Sequence, residues 1–498
     1  MKKLIYNSLL LGGILLMASC SNSEYELQNL VPGKYHKILY IKDNGKQEMN
    51  MNTVETTPVY SIRIVKAGSD PSSSADVKVV TMSQDEIDEL YNDIEGTNYR
   101  VVSDTSYSYS SPEVVFQAGE VGKRLDVTLY SDLIYAEMQQ DKDAQYVLPV
   151  KITSDQDSIN SYKNHVLLLL DVKKPIITFK TEKISTNMVY KQLAVNIKAD
   201  LKNISASKWN FTCELTDAQK DDLVSQYNTE HGTNYLPMPS DAYTLEDLTF
   251  ALGSNEGEVN MTISREPLTN DNAYLLPLKL NNTSQEGFDL GESICYLAVN
   301  NPKYGTIDCD RSKWKVVFCN SDQKNYGGVG GDAGGVGSLF DNNLDTYWHS
   351  AYGDSYQQGV QDPDKFVGKR DMPITIVAEM NEPIIIYSIG WHQRNDSQTF
   401  ADTKKAEYYT SNDEKFLLGG VEDYSPVAMN NWTYLMERGY EKISGIQWQT
   451  ASPEILQQHI KGHLLKVKLI ESYRDAFLAN GAEVYVKQFV AIDGEPIE

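Results

Sequence analysis

The sequence predicts a mainly β protein of three consecutive units, the first two being antiparallel β-sandwiches that each carry an inserted helix. Short segments of alternating or β-branched residues recur between turn signals along most of the 498 residues. An internal duplication makes the first two units copies of one module. Beyond about residue 305 the chain becomes richer in Trp and Gly, which marks a third unit of different character.

Residues 1–20 are predicted to be a targeting segment that precedes the fold. Two lysines begin it, and the apolar stretch 9–17 is too short to span a membrane. It ends in Leu-Met-Ala-Ser-Cys20, which resembles a bacterial lipobox with Cys20 as the lipidated residue. Residues 21–29 would then form a polar tether. The alternative is an ordinary secretory signal in which Cys20 is incidental.

The composition restricts the partners of the protein. A net charge of −24 argues against nucleic acid or an anionic membrane surface, because both require a basic face. Apart from Cys20, the cysteines Cys213, Cys295, Cys309 and Cys319 lack the close pairs of a zinc site. Cys309 and Cys319 could form a disulfide, or they could be free buried thiols.

The duplication that defines the first two units is legible in two motifs. Tyr91-Asn-Asp-Ile-Glu-Gly-Thr-Asn-Tyr99 matches Tyr227-Asn-Thr-Glu-His-Gly-Thr-Asn-Tyr235. Tyr146-Val-Leu-Pro-Val150 likewise matches Tyr274-Leu-Leu-Pro-Leu278. A period of this size corresponds to a whole domain and is too long for a solenoid repeat. The copies are therefore predicted at residues 30–175 and 176–305, with the repeated tyrosines packing their cores.

Each copy contains one predicted helix. In the first, Ser83 and Glu86 form a capping box and Gly96 ends the helix. In the second, Thr216 and Gln219 predict the same start, and Gly232 the same end. The predicted buried faces are Ile87, Leu90, Tyr91 and Ile94 in the first copy, and Leu223, Val224 and Tyr227 in the second. Predicted strands in the two copies cover 59–65, 125–130, 166–172, 193–197, 259–263 and 295–299.

The tandem copies resemble, through these tyrosine motifs, an N-terminal module of Bacteroidetes lipoproteins that serve polysaccharide-utilisation systems. The resemblance covers residues 30–305 and implies a glycan-related setting, without giving a site. Residues 301–305 are predicted to link the second copy to the third unit, residues 306–498. Strands of that unit are predicted at 315–318, 374–379, 384–391, 464–470 and 482–488.

The third unit resembles the discoidin (coagulation factor 5/8 type C) family and its carbohydrate-binding branch. The match lies in Leu339-Phe-Asp-Asn-Asn-Leu-Asp-Thr-Tyr-Trp-His-Ser350 and in Ile389-Gly-Trp-His-Gln-Arg394. It implies a β-sandwich jelly roll. Asn342 stands where the family usually has glycine.

The resemblance also implies a structural calcium ion, which would pin the loop that presents His349. Its shell would consist only of oxygen atoms, as calcium prefers. The ligands would be the side chains of Asp341, Asn343, Thr346 and Glu483 and the backbone oxygens of Ser338 and Ala482. The alternative is that Asp341 caps a turn and Glu483 is solvated.

A shallow sugar site is implied at the loop end of the third unit. An aromatic ring would stack on the apolar face of a pyranose, while polar groups bind its hydroxyls. The residues that match the family's site are His349, Tyr352, Arg394 and Phe477, with Asn395 as a substitute for a missing amide. His392 is a further candidate, Trp348 is expected in the core, and Arg394 could instead pair with a carboxylate.

Two other signals are set aside. The glycine-rich stretch 326–337 lacks the Gly-Lys-Ser/Thr ending of a phosphate loop. His459 and His463 have zinc-like spacing, but no third ligand is evident.

The sequence therefore predicts a lipid-anchored glycan-binding protein of the outer-membrane surface that acts with other glycan-uptake proteins. Membrane contact would be through the lipid only. Three binding-sized units leave no segment for a catalytic barrel, which favours a protein that is not an enzyme. A glycan-acting hydrolase and a protein-binding adhesin are the alternatives.

Overall fold

The computed structural model describes residues 30–70, 72–204, 208–322, 335–351, 372–394, 402–412, 431–443, 445–474 and 478–497. These residues are mainly β, as predicted, and the strands fall into three consecutive groups with separate hydrophobic cores. Within these ranges no helix combines the length and apolar character needed to cross a membrane. The predicted signal, Cys20 and the tether lie outside the described residues.

Two facing sheets enclose the core of the first module. Its strands are β1 (Ile38–Ile41), β2 (Gly45–Asn52), β3 (Val59–Ala67), β4 (Ala75–Thr81), β5 (Tyr99–Val101), β6 (Tyr107–Tyr109), β7 (Glu113–Phe116), β8 (Gly122–Leu129), β9 (Gln145–Thr153), β10 (Ser158–Ile159) and β11 (His165–Lys173). One sheet has the order β10-β1-β3-β8-β6, and the other has β2-β11-β9-β4-β7 with β5 beside β9. Burial alternates along β4 and β7 because only one face of the sheet covers the core.

The predicted helix of the first module forms, but a π-helical segment divides it. Its parts are α1 (Gln84–Ile87), the π segment Asp88–Asn92 and α2 (Asp93–Glu95). The predicted capping box is present, since the Ser83 hydroxyl accepts from the Glu86 amide and the Glu86 carboxylate accepts from the Ser83 amide. Gly96 ends the helix in the left-handed conformation, at φ 68°.

The predicted buried face of this helix is wrong in part. Ile87 is buried, but Leu90 is 48 % exposed and Ile94 is 73 % exposed. A π turn inserts an extra residue, so the side chains that follow it rotate away from the face expected for a regular α-helix. A second helix that the sequence reading missed, α3 (Ser131–Met138), covers the other end of the module and buries Ile134.

The second module repeats the architecture with one continuous, strongly curled sheet. Its strands are β12 (Ile176–Phe179), β13 (Lys183–Asn187), β14 (Gln192–Lys202), β15 (Phe211–Thr216), β16 (Leu236–Pro237), β17 (Leu248–Phe250), β18 (Glu256–Ser264), β19 (Asn272–Thr283), β20 (Asp289–Leu290) and β21 (Cys295–Asn301). The order is β13-β21-β19-β15-β17-β18-β14-β12-β20, with β16 against β19. Strand β19 pairs with β21 along its first half and with β15 along its second, so it joins the two faces.

The helix of the second module, α4 (Lys220–His231), begins later than predicted. Thr216 is still the last residue of β15, and Gln219 occupies the N-cap in the left-handed conformation without a side-chain capping bond. Val224 and Tyr227 are buried as predicted, and Gly232 ends the helix at φ 64°. The predicted capping box at Thr216 and Gln219 is therefore wrong, because the strand extends through the first of these residues.

The third unit is a curled β-sandwich of the predicted jelly-roll type. Its strands are β22 (Tyr304–Asp308), β23 (Lys315–Cys319), β24 (Trp348–His349), β25 (Ile374–Gln393), β26 (Thr403–Ser411), β27 (Thr433–Gly439), β28 (Gly445–Thr450), β29 (Lys461–Ser472), β30 (Asn480–Gly481), β31 (Glu483–Ile492) and β32 (Glu495–Pro496). The main order is β22-β31-β25-β29-β26-β27, and α5 (Pro453–Leu456) is its only described α-helix. Short 3-10 turns lie at Gly33–Tyr35, Ser240–Ala242 and Val336–Phe340.

Two predicted strands of this unit are one long strand, β25. Its pairing with β29 shifts register between Glu379 and Ile384, and beyond this point it pairs with β28 and β31. The shift bends the strand from one layer of the sandwich to the other. Trp348 and Trp391 are fully buried in the core between the layers, as predicted for Trp348.

The third unit follows the second module closely. Only Pro302 and Lys303 separate β21 from β22. Across this junction the Asn270 amide donates to Asp493 Oδ1 at 2.6 Å, and the Lys303 backbone amide donates to Asp271 Oδ1 at 2.9 Å. Hydrogen bonds thus accompany the short connection between the second module and the third unit.

The described cysteines are free thiols. Cys213, Cys295 and Cys319 are buried, Cys309 is partly buried, and Cys309 and Cys319 do not form a disulfide. Burial raises the pKa of Cys213 and of Cys309 to about 12, so these thiols stay protonated and unreactive at neutral pH.

Replacing Ser83 with Ala should loosen the first helix, because it removes the side-chain oxygen that caps the Glu86 amide. A lost N-cap costs about 1 kcal/mol, so amides of α1 should exchange with deuterium roughly 5-fold faster. Hydrogen-exchange mass spectrometry on the full chain measures this. Thr216→Ala is the matched control from the second copy, and its α4 amides should exchange at the original rate. Equal acceleration by the two substitutions would contradict the assignment of the caps.

Candidate ligand-binding site

His349 lies at one end of the third unit on the short strand β24. It faces Asn480 of β30 in the strand register, and it is 7 % exposed. Burial lowers its pKa, the hydrogen bond to the Ser350 carbonyl and the Asp402 charge oppose this, and the Arg474 and Arg394 guanidiniums lower the pKa further. The ring is therefore neutral at pH 7. Its Nδ1 bonds to the Ser350 carbonyl at 2.7 Å, which makes Nδ1 the donor and Nε2 the acceptor nitrogen.

Arg394 directly follows β25 at the same end of the unit. Its guanidinium carbon lies 3.8 Å from the ring centroid of Tyr347, which is a close cation–π contact. Because Tyr347 stands two residues before His349 in the chain, this contact holds the guanidinium near the imidazole. The Arg394 charge also acts on the pKa of His349, so the two side chains lie at the same end of the unit.

A buried carboxylate binds two further side chains at this end of the unit. Asp402 is fully buried and accepts from Arg474 Nη2 at 2.6 Å and from Asn480 Nδ2 at 2.7 Å. These three residues were missed in the sequence reading. Arg474 and Asn480 flank the predicted site residue Phe477, and this placement could have indicated that they belong to the site. Nothing in the sequence around Asp402 indicated that it would bind them.

The remaining predicted site residues divide into two groups. Tyr352, Asn395 and Phe477 lie outside the described residues. His392 is buried within β25, and its Nδ1 bonds to the Gln393 carbonyl at 2.7 Å.

Gly481 explains how the strand behind the site packs. A Cβ at this position would lie 2.4 Å from Cζ2 of Trp391, so only glycine lets β30 lie against the indole. The pairing of β30 with β24, and hence the position of His349, depends on this approach.

The predicted metal loop is compact. The Asp341 carboxylate accepts from the Asn343 amide at 2.9 Å and from the Thr346 hydroxyl at 2.7 Å. Glu483 Oε1 accepts from the same Asn343 amide at 3.1 Å. Asn342 has a φ of 60°, the left-handed conformation that Asn tolerates best after glycine, which accounts for the usual glycine there.

Arg311 supplies a positive charge inside this cluster. It is buried, and it forms an ion pair with the fully buried Glu483 and a 2.6 Å hydrogen bond to the Val484 carbonyl. Its second nitrogen donates to the Asn342 side chain. Burial raises the pKa of Glu483, Arg311 lowers it and Asp341 raises it. The alternative of a solvated Glu483 is therefore wrong.

Asp341, Thr346 and Glu483 offer the oxygen types that a hard cation such as calcium prefers. In this structure the Asp341 and Glu483 carboxylates accept from the Asn343 amide, and the Thr346 hydroxyl donates to Asp341. Arg311 already balances one of the two carboxylates, so a cation here would meet a formal charge of −1. Ser338 lies at the preceding 3-10 turn and Ala482 directly before Glu483.

Within the described ranges there is no group of three or more His, Cys, Asp or Glu side chains suited to a metal. His463 instead lies 3.6 Å from a Glu379 carboxylate oxygen.

A family model described as "-like, N-terminal domain" matches the chain twice, at residues 34–159 and 162–287. The two matches cover just over half of the chain, and the chain belongs to this family. The double match confirms the tandem duplication. No curated protein matches the sequence.

Solved structures share parts of the fold. The C-terminal domain of a chitobiase from Bacteroides fragilis is 19 % identical, with 37 % of this chain and 99 % of that chain covered and a TM-score of 0.27. A family 32 carbohydrate-binding module from Clostridium perfringens, in complex with galactose, is 16 % identical, with 36 % and 98 % covered and a TM-score of 0.24. A SusE-like protein is 12 % identical, with 64 % and 97 % covered and a TM-score of 0.26.

Replacing Arg311 with Leu should destabilise the third unit by about 3–5 kcal/mol, because Glu483 would remain buried without its partner. Urea unfolding followed by tryptophan fluorescence measures this, since five of the six tryptophans lie in that unit. Lys487→Leu is the control on the same strand, because the exposed Lys487–Asp308 pair contributes at most about 1 kcal/mol. Equal effects of the two substitutions would show that the buried pair is not structurally important.

Proposed function

We propose that this protein binds glycans through the end of its third unit that carries His349 and Arg394. The observation that supports this most directly is the Arg394–Tyr347 contact beside a neutral histidine. The chitobiase domain and the galactose-bound module resembled by this unit are consistent with the same ligand class.

The chemistry of these groups suits sugar hydroxyls. A guanidinium presents several fixed N–H donors, which can bind two neighbouring hydroxyls at once. The Nε2 nitrogen of neutral His349 would accept a hydrogen bond from a sugar hydroxyl. Tyr352 and Phe477 are proposed as the aromatic partners of the sugar ring, and Asn395 as a further hydrogen-bonding group.

The burial and hydrogen bonding of Asp402 favour a binding function over hydrolysis. A glycosidase needs two carboxyl groups that face the scissile bond. Asp402, whose charge acts on His349, is fully buried and bonded to Arg474 and Asn480. We therefore propose a non-catalytic protein, on the ground that the described residues of this end that act on His349 supply no pair of exposed carboxyl groups.

The two tandem modules are proposed as spacers. With Cys20 lipidated at the outer membrane, they would hold the third unit away from the cell surface, where it could deliver glycans to neighbouring uptake proteins. The short, hydrogen-bonded junction at Pro302 and Lys303 supports this role, because it joins the third unit directly to the second module.

Arg394→Ala should weaken glycan binding by the third unit at least about tenfold, since it removes the several fixed N–H donors of the guanidinium. Isothermal titration of the full chain against a panel of neutral oligosaccharides measures the affinity. Tyr352→Ala should have a similar effect, whereas Arg124→Ala, on the surface of the first module, should have none.

Two results would contradict the proposal. One is glycan binding that survives both Arg394→Ala and Tyr352→Ala unchanged. The other is no binding to any glycan, together with retention of a protein partner after glycan removal, which would favour the adhesin.

A calcium ion held by Asp341, Asn343, Thr346 and Glu483, with the Ser338 and Ala482 carbonyls, is the second part of the proposal. Bound calcium would brace the loop that leads to His349. Adding calcium to chelator-treated protein should raise the melting temperature of the third unit, on the order of 5 °C at saturating ion.

Asp341→Asn should remove this response, because it removes the only carboxylate of the set that Arg311 does not neutralise. Asp345→Asn, in the same loop, should preserve it. A melting temperature that calcium and chelator leave unchanged would rule out the ion and leave Arg311 as the only cation of the loop.

A further inference from the structure

The second module contains a cavity of about 500 Å³ that is separate from the site in the third unit. It opens beside the end of helix α4, between β13 and β21. Its apolar walls are aromatic: the ring centroids of Tyr227 and Tyr296 are 4.6 Å apart, and the imidazole of His231 stacks on Tyr227 at 4.0 Å. Clefts of this size lined by aromatic and polar groups are typical of small-ligand sites.

The duplication provides an internal reference for this cavity. In the first module Lys46 Nζ lies 5.3 Å and 5.2 Å from the ring centroids of Tyr91 and Tyr99. In the second module Lys183 Nζ lies 5.1 Å and 5.3 Å from the rings of the corresponding residues, Tyr227 and Tyr235. The lysine and its two tyrosines therefore belong to the shared framework of the module.

Two substitutions distinguish the copies. In the first module Glu95 pairs with Lys46, whereas the second has His231 at the corresponding place in the tyrosine motif. Lys183 forms no ion pair with a described carboxylate and donates to the Tyr227 hydroxyl at 2.8 Å.

The second substitution lies on the neighbouring strand. Lys46 faces Leu167 across its strand pair, whereas Lys183 faces Tyr296. The second copy has thus lost the carboxylate that pairs with the lysine and has gained two rings that line a cavity.

The polar groups of the cavity suit an uncharged polyhydroxyl ligand. The carboxylates of Glu182 and Glu292 can accept hydrogen bonds from hydroxyl groups. The buried Ser293 hydroxyl has no hydrogen-bond partner among the described residues. With Lys183 counted, the lining carries a formal charge of −1, which disfavours acidic ligands. Aromatic faces suit the apolar face of a pyranose.

From these observations we propose that this cavity is a second glycan-binding site, specific for a pyranose unit of a neutral glycan. The proposal takes its ligand class from the proposed function of the third unit, but it depends on different residues. A glycan bound in both places would be held more tightly than by either site alone.

The test uses the full chain with Arg394→Ala, which disables the site in the third unit. Isothermal titration with the neutral oligosaccharide panel should still detect about one site per chain. Adding Tyr296→Leu, which installs the residue type of the first copy, should weaken this binding at least about tenfold. His231→Glu should do the same by pairing with Lys183, as Glu95 does with Lys46.

Two variants control for indirect effects. Tyr296→Phe keeps the ring and should retain binding, which separates stacking from folding. Glu95→His, the reciprocal change in the first module, should leave binding unchanged. Sialylated or uronic-acid oligosaccharides should bind at least about tenfold more weakly than neutral ones.

The outcomes separate the two sites. Loss of all binding in Arg394→Ala, with no effect of Tyr296→Leu alone, would overturn this inference and leave the first proposal standing. Binding that only Tyr296→Leu and His231→Glu reduce would support the cavity and refute the site in the third unit. Insensitivity to every substitution, no binding at all, or a preference for acidic sugars would overturn the inference.

Discussion

The buried ion pair between Arg311 and Glu483 is the contact on which the functional end of the third unit depends. Arg311 comes from the segment between β22 and β23, and Glu483 begins β31, one of the central strands of the sandwich. Through Asn342 and Asn343 the same two side chains also hold the loop that leads to His349. Two buried charges are tolerated here because each is paired and further hydrogen-bonded.

The residues that stabilise this end of the unit are therefore different from those proposed to bind a ligand. The charges of the loop are largely satisfied inside the protein, whereas Arg394 lies against the face of Tyr347 at the rim. This contact fixes the plane of the Arg394 guanidinium against the ring. Asp402, with Arg474 and Asn480, fixes the floor below, so that little reorganisation is needed when a ligand binds.

The tandem modules show how a duplicated framework can diverge in function. Both copies retain the lysine over two tyrosines, which indicates that this group stabilises the module. The exchange of Glu95 for His231 removes the ion-pair partner of the lysine and adds a ring that stacks on Tyr227, which changes the chemistry of the surface next to the helix. A small number of substitutions on a fixed scaffold is sufficient for such a change, because the backbone of the module already positions the rings.

The sequence by itself determined the mainly β class, the duplication and the glycine ends of both helices. These depend on local periodicity, on turn chemistry and on a motif that spans few residues. It did not determine the π segment that turns Leu90 and Ile94 outward. It also did not determine the late start of α4, which follows from the extension of β15 through Thr216.

Only the tertiary structure decided the rest of the site. Arg311 and Glu483 are 172 residues apart, and Asp402 meets Asn480 across 78 residues. No local pattern encodes such pairings. They arise when the sandwich closes and buries these groups, since each buried charge then requires a partner from whichever strand lies beside it.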